Sequence, residues 1–263
     1  SAKTAAGQLL AAARPGEGRR NVVVMTAPSP VHLPVLLSET MRWLDVREGG
    51  TYIDCTTGLG GHSSAIAERM GETGRLLCLD QDSEALEFAR AKLAPFGRRV
   101  RFVHANFREL AEVAAREGFH DVDGILMDLG ISSFQIGEAK RGFAFGLEGP
   151  LDMRMDQSSG LTAADILNTY DAKALTRVLR EYGEEKFARR IARGIVARRA
   201  EQPFTRTVEL ADFIASLLPK NFDGIHPATR AFQAIRIAVN DELGAVERGL
   251  AAAHTLLAPH GRL

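Results

Sequence analysis

Four short apolar runs recur along the first half of the chain, at Thr51–Cys55, Arg75–Leu79, Val100–His104 and Val122–Met127. Each is nearly continuous in hydrophobic residues, the pattern of a strand buried on both faces. Between them lie His62–Met70, Ser83–Leu93 and Glu109–Glu117, whose apolar positions fall three and four apart, the period of a helix. Strands that alternate with helices in this way predict an α/β fold with a parallel sheet. In such a sheet ligands bind at the carboxyl ends of the strands, where Asp54, Asp80, Asn106 and Asp128 all fall.

The second half changes period. From Thr162 to Leu257 the pattern is helical, with no convincing strand. Thr162 with Asp165 resembles a capping box. Tyr170–Tyr182 and Glu184–Arg199 are amphipathic, Thr207–Leu218 follows, and His226-Pro227 opens another helix with proline at its first position. Val246–Leu257 reads as a helix, Ala258-Pro259-His260-Gly261 as its stop, and Arg262-Leu263 as the first step of a returning strand. The expected organisation is a loose tail over 1–30, an α/β domain over 31–136 plus 241–263 that lacks its C-terminal strands, and an inserted all-helical domain over 137–240.

Composition narrows the class. The chain has 263 residues, 45% hydrophobic and 25% charged, which suits a globular protein with a core and excludes a disordered, collagenous or disulfide-stapled one. No apolar run approaches the ~18 residues of a membrane span. Cys55 and Cys78 sit inside strand patterns, too few for a disulfide framework, which suggests core positions in a reducing compartment. Lys+Arg and Asp+Glu balance at 33 each, so a polyanionic partner must be met by a local patch. One such stretch is Arg177–Arg206, with nine basic and four acidic residues, where Arg189, Arg190, Arg193, Arg198 and Arg199 recur at helical spacing. An ordinary solvated helix face is the plainer account of it. The tail carries Lys3, Arg14, Arg19 and Arg20 against Glu17. Such an Arg-bearing lead admits a transit peptide, and with it the mitochondrial matrix as an alternative to the cytoplasm.

After the first apolar run comes Asp54-Cys55-Thr56-Thr57-Gly58-Leu59-Gly60-Gly61-His62-Ser63. Glycines let a backbone turn tightly and approach a ligand, and the helix that follows offers free N–H groups. Asp80 ends the next run, where such folds place a carboxylate on ribose hydroxyls. The pair points to an adenosine-bearing cofactor. A dinucleotide fingerprint wants a glycine where Ser63 stands, and Asp54 would repel a pyrophosphate while suiting a sulfonium amino acid. The balance favours S-adenosylmethionine over a nicotinamide-dependent oxidoreductase.

Longer strings are more specific. His32-Leu33-Pro34-Val35-Leu36-Leu37, Tyr52-Ile53-Asp54-Cys55-Thr56, Asn106-Phe107, Asp128-Leu129-Gly130-Ile131-Ser132-Ser133 with Gln135, Arg141-Gly142-Phe143, Leu151-Asp152-Met153-Arg154-Met155-Asp156, Tyr182-Gly183-Glu184-Glu185 and His226-Pro227-Ala228-Thr229-Arg230 follow in order. In that order they resemble the MraW/RsmH family of small-subunit (16S) rRNA (cytosine-N4)-methyltransferases, from about residue 31 onward. The resemblance implies a class I S-adenosylmethionine-dependent methyltransferase (Rossmann-like) fold with a helical insertion. It implies cofactor contacts at Gly60, Gly61, His62, Asp80, Phe107, Asp128 and Gln135, to which the glycine-loop reading adds Asp54 and Gly58. The implied partner is small-subunit rRNA or the subunit itself. Family members continue past the closing Gly-Arg-Leu, which puts this chain's activity in question; a catalytically impaired RNA-binding assembly factor is the alternative.

Methylating an exocyclic amine needs a hydrogen-bond acceptor, because the lone pair of cytosine N4 is delocalised into the ring. Asp128 is the leading candidate and Asp152 the second, although Arg154 can equally pair with the neighbouring carboxylates. Arg154, Arg189, Arg193, His226 and Arg230 are the candidate RNA contacts, with Phe143, Phe145 and Met153 as candidate base stackers. Such chemistry needs no metal, and no cluster has ligand spacing. The sequence leaves the oligomeric state open, a homodimer included.

Overall fold

The structure is a computed structural model and describes residues 34–219 and 225–263. The expected tail and the His32-Leu33 dipeptide lie outside the described residues. The elements run α1 (Leu37–Leu44), β1 (Thr51–Asp54), α2 (Gly61–Arg69), β2 (Arg75–Asp80), α3 (Ser83–Leu93), β3 (Val100–His104), α4 (Leu110–Glu117), β4 (Val122–Leu126) and α5 (Ser133–Gly137). Then come α6 (Ala163–Thr169), α7 (Ala172–Glu181), α8 (Ala188–Arg199), α9 (Thr207–Leu217), α10 (Thr229–Asn240), α11 (Glu242–Leu256) and β5 (Leu257–Arg262).

The strands pair in the order β3-β2-β1-β4-β5, every pair parallel. The order reverses between β1 and β4, and the crevice at such a reversal is where open α/β sheets bind ligands. Strand residues alternate between two cores, as a period of two requires. Tyr52, Leu76 and Cys78 join Met41, Ile66 and Met70 on one face. Ile53, Cys55, Leu77 and Leu79 join Leu110, Phe119 and Ala253 on the other. Both cysteines are free and buried, and burial pushes the Cys78 thiol up to about 12. A third core runs from Phe143 to Ile235 and is built by the helical block.

Local chemistry explains the boundaries. Asp82 caps α3 by accepting the N–H groups of Glu84 and Ala85, at 3.1 and 3.2 Å. Thr162 and Asp165 make the expected capping box on α6. Gly118 ends α4 in the left-handed region at φ 70°.

Several boundaries differ from expectation. Pro227 precedes α10 rather than opening it, because the His226–Ala228 turn comes first. The fifth strand starts at Leu257, directly after α11, rather than at Arg262. The turn residues Ala258–Gly261 are taken up inside it, as a register irregularity between the Val122–Leu257 and Gly124–Arg262 pairs. No helix among the described residues is long and apolar enough to cross a membrane.

Candidate active site

The loop after β1 is built around Asp54. This carboxyl is fully buried. Its Oδ2 accepts the Ser63 hydroxyl at 2.6 Å and its Oδ1 accepts the Thr56 N–H at 3.1 Å. Burial pushes its pKa up, and those two hydrogen bonds oppose the rise. Asp54 therefore shapes the loop from beneath, with its two oxygens turned to Ser63 and Thr56. Gly58 and Gly60 stand at φ 52° and 75°, a region closed to most side chains. A Cβ at Gly58 would meet only Thr56 O, at 4.0 Å, so the space beside it is open. A Cβ at Gly61 would lie 2.5 Å from Pro34 Cγ, so the loop is pressed against the start of the described chain. His62 donates from Nε2 to Val35 O at 3.0 Å, since a carbonyl can only accept.

Asp80 ends β2 beneath the same loop. Its Oδ2 accepts the Gly58 N–H at 2.7 Å and its Oδ1 accepts the Asp82 N–H at 2.8 Å. Burial pushes its pKa up to about 6 against those two bonds. Across the strand-order reversal, the Asp128 N–H donates to Thr56 Oγ1 at 2.7 Å. That bond ties the loop after β4 to the loop after β1. The Asp128 side chain is 57% exposed, with Oδ2 4.0 Å from His62 Nδ1. It is a carboxylate held in place through its backbone and left open at its oxygens. Phe107 follows β3 on a turn capped by Asn106, whose Oδ1 accepts the Arg108 N–H at 3.0 Å. Phe107 packs so closely on α11 that a Cβ at Gly249 would come within 2.7 Å of its ring.

Gln135 is buried. It completes a capping box with Ser132 and donates to Asp82 Oδ2 at 2.8 Å. The same oxygen accepts Arg141 Nη1 at 2.6 Å, and Arg141 is 1% exposed. Arg141 Nη2 donates in turn to Met155 O at 2.8 Å. This buried cluster fastens the Leu151–Asp156 string to the head of α3. Asn240 fastens it from the other side, accepting the Met155 N–H and donating to Met153 O, each at 2.8 Å.

Within that string Asp152 and Arg154 pair with each other, at 2.9 and 2.8 Å through two nitrogens. Burial pushes the Asp152 carboxyl up, but the Arg154 hydrogen bonds outweigh it and hold its pKa below the usual value. The structure thus shows the Arg154–carboxylate pairing that the sequence offered as the alternative to a catalytic Asp152 and an RNA-binding Arg154. Phe143 and Met153 are buried in the helical core, and the half-buried Phe145 stacks on the exposed His226 at 4.4 Å. His226 also accepts the Ala228 N–H on Nδ1 at 3.2 Å, a local turn contact. Arg230 is half-buried, while Arg189 and Arg193 are exposed on α8.

The structure therefore gathers Gly58, Gly60, Gly61, His62, Asp80 and Asp128 around one crevice. It places Asp54, Gln135 and Asp152 in supporting positions. Thr56, Asp82, Arg141 and Asn240 carry geometric weight that the sequence reading did not assign. Asp82 had a visible signal, an Asp-Ser pair before a helical period. Asn240 had none, because its partners lie far back in the chain.

The model of the MraW methylase family matches residues 29–263. The ribosomal RNA small subunit methyltransferase H of Symbiobacterium thermophilum is 53% identical over 234 residues, covering 88% of this chain and 74% of its own length. The protein of the same name from Carboxydothermus hydrogenoformans is 52% identical over 233 residues, 88% of this chain and 74% of its own. That of Stenotrophomonas maltophilia strain K279a is 49% identical over 251 residues, 95% of this chain and 76% of its own.

Proposed function

This chain belongs to the MraW methylase family, and from that premise we propose that it methylates the exocyclic N4 of a cytosine in the decoding centre of small-subunit rRNA, using S-adenosylmethionine. Family membership sets aside the oxidoreductase alternative. The crevice fits the cofactor by its donors: open space beside Gly58, a backbone turned by Gly60, and the Asp80 carboxylate as acceptor for ribose hydroxyls. When bound, the cofactor supplies a methyl already activated on a sulfonium. The chain's task is to hold the amine in line with it and to draw the lone pair back onto N4.

Asp128 is the group placed to do that. Its oxygens are open, its backbone is fixed by Thr56, and it stands at the carboxyl end of β4 beside the glycine loop. It accepts a hydrogen bond from the N4 amino group and can receive its proton. That exposed, anchored carboxylate carries the reading. The target base must be unpaired or flipped to reach it. The relatives named above are bacterial, and the reading places the protein in the cytoplasm beside the ribosomal subunit.

Radiolabelled methyl transfer to small ribosomal subunits, followed by nucleoside analysis, tests the proposal. N4-methylcytosine is the expected product. Asp128→Ala is expected to lower kcat by about 10²–10⁴. No N4-methylcytosine with the parent protein sinks the proposal, and full activity in the variant removes Asp128 from it.

A further inference from the structure

Helices α7 and α8 enclose an open groove of about 580 Å³, lined by Lys173, Thr176, Arg177, Arg180, Glu181, Arg189 and Arg193 among others. Its shape follows from the helical period. Lys173, Arg177 and Arg180 fall on one stripe of α7, while Leu175, Val178 and Leu179 on the other stripe are buried. Arg189 and Arg193 are one turn apart on α8, opposite the buried Ile191, Ala192 and Ile195. All five cations are exposed, with Glu181 as the one acid of the lining.

What sets this groove apart is that its unpaired charges are gathered on two facing helices. Elsewhere many exposed cations pair with acids, as in Arg47–Asp45, Arg101–Glu117, Lys140–Glu84 and Arg206–Glu148, and others are the single Lys or Arg of their helix, as Arg42 on α1 and Arg69 on α2 are. Even on α8, Arg198 is taken by Glu209 and the Phe204 ring, and Arg199 by the carbonyls of Leu167 and Tyr170. Among the described residues, none of Lys173, Arg177, Arg180, Arg189 and Arg193 has an ion pair. Like charges one helical turn apart weaken a helix. Five of them facing one groove make a site whose complement is a polyanion.

We infer that the groove between α7 and α8 holds the phosphate backbone of the substrate RNA, at nucleotides other than the methylated one. The inference rests on the function proposed above and extends the RNA surface from Arg189 and Arg193 to the facing stripe of α7. Contacts of this kind position the RNA without reading its sequence. They also make affinity fall steeply with salt.

The test is a variant carrying Arg177→Ala, Arg180→Ala, Arg189→Ala and Arg193→Ala, measured against small ribosomal subunits over a salt series. The slope of log affinity on log salt is expected to be shallower by about 3, since each phosphate contact contributes roughly 0.7–0.9. KM for the subunit rises while kcat stays near that of the parent, and calorimetry finds S-adenosylmethionine binding unchanged. A phosphate is recognised by a point charge as well as by a fork, so replacing the same four arginines with lysine restores most of the slope. An unchanged slope and KM in the alanine variant overturn the inference. So does a lysine variant that behaves like the alanine one. If the parent fails to methylate subunits at any salt, it is the proposed function that falls; the binding slope still decides the groove.

Discussion

The sheet and the helical block treat charge in opposite ways. At the carboxyl ends of β1 and β2 the charged groups are buried and satisfied: Asp54 by Ser63 and Thr56, Asp82 by Arg141 and Gln135. Along the groove between α7 and α8 the cations are exposed and without ion pairs. A buried ion pair loses hydration that its partner rarely repays in full, so it is worth having only where position matters. An exposed cation keeps its hydration and fixes no geometry, so a row of them is worth having only for what comes from outside. The same residue types thus serve pre-organisation in one region and recognition in the other. What separates the two is how each charge is satisfied, which its sign does not reveal.

Three changes probe the ordered side of that comparison. The largest effect is expected from Arg141→Ala, which strips Asp82 of its buried counter-charge. Breaking such a pair costs about 3–5 kcal/mol of folding stability, readable by denaturant unfolding. A loss no larger than that of an exposed arginine would erase the contrast. Next comes Asp54→Ala, which leaves the buried Ser63 hydroxyl and the half-buried Thr56 N–H without their acceptor. The expected cost is about 1–3 kcal/mol, and Asp54→Asn, which keeps one oxygen, should lose less in the same assay.

The smallest effect is a pH dependence at Asp80. Its folded pKa of about 6 stands above the ordinary carboxyl value. The folded chain holds a proton there that the unfolded chain has released. This group's contribution to stability is therefore complete below the ordinary value and is lost as pH rises through 6. Cofactor binding runs the other way, because ribose hydroxyls need the ionised acceptor. Affinity for S-adenosylmethionine should weaken below about pH 6, by up to roughly tenfold per unit, and level off above it. Calorimetry between pH 5 and 8 checks this, with Asp80→Asn expected to flatten the profile. A flat profile in the parent takes the ribose contact away from Asp80.

The sheet was legible because strands buried on both faces write continuous apolar runs. The α3 boundaries were legible because Asp82 marks the start. Helix α1 was not: Leu37, Met41 and Leu44 fall at helical spacing on its packed face, but the helix is only eight residues long and Trp43, 68% exposed, adds a large apolar residue off that face. The chemistry of the Ala258–Gly261 turn was visible, but its place inside β5 depends on pairing with β4, which no local pattern records. The glycine loop, Asp80 and Asp128 were found where strand ends put them. Asp54, Gln135 and Asp152 were found too, but residue type gives a charge or an amide and not its partner. The basic run over Arg177–Arg206 likewise mixed two populations. Arg198 and Arg199 lie five and six residues past Arg193, off its face of α8, and each is held by a neighbouring element.

The position of β5 has a kinetic side. Val122 cannot meet Leu257 until everything between them has been looped out. The entropy of closing a loop rises only logarithmically with its length, so the long excursion costs equilibrium stability little. It weighs instead on rate, because distant pairings are made late. The excursion is not slack chain, however. It has its own core, and Asn240 fastens its far end to Met153 and Met155 near its beginning. Once those contacts form, the distance that β5 must search is set by a folded block rather than by the length of chain inside it.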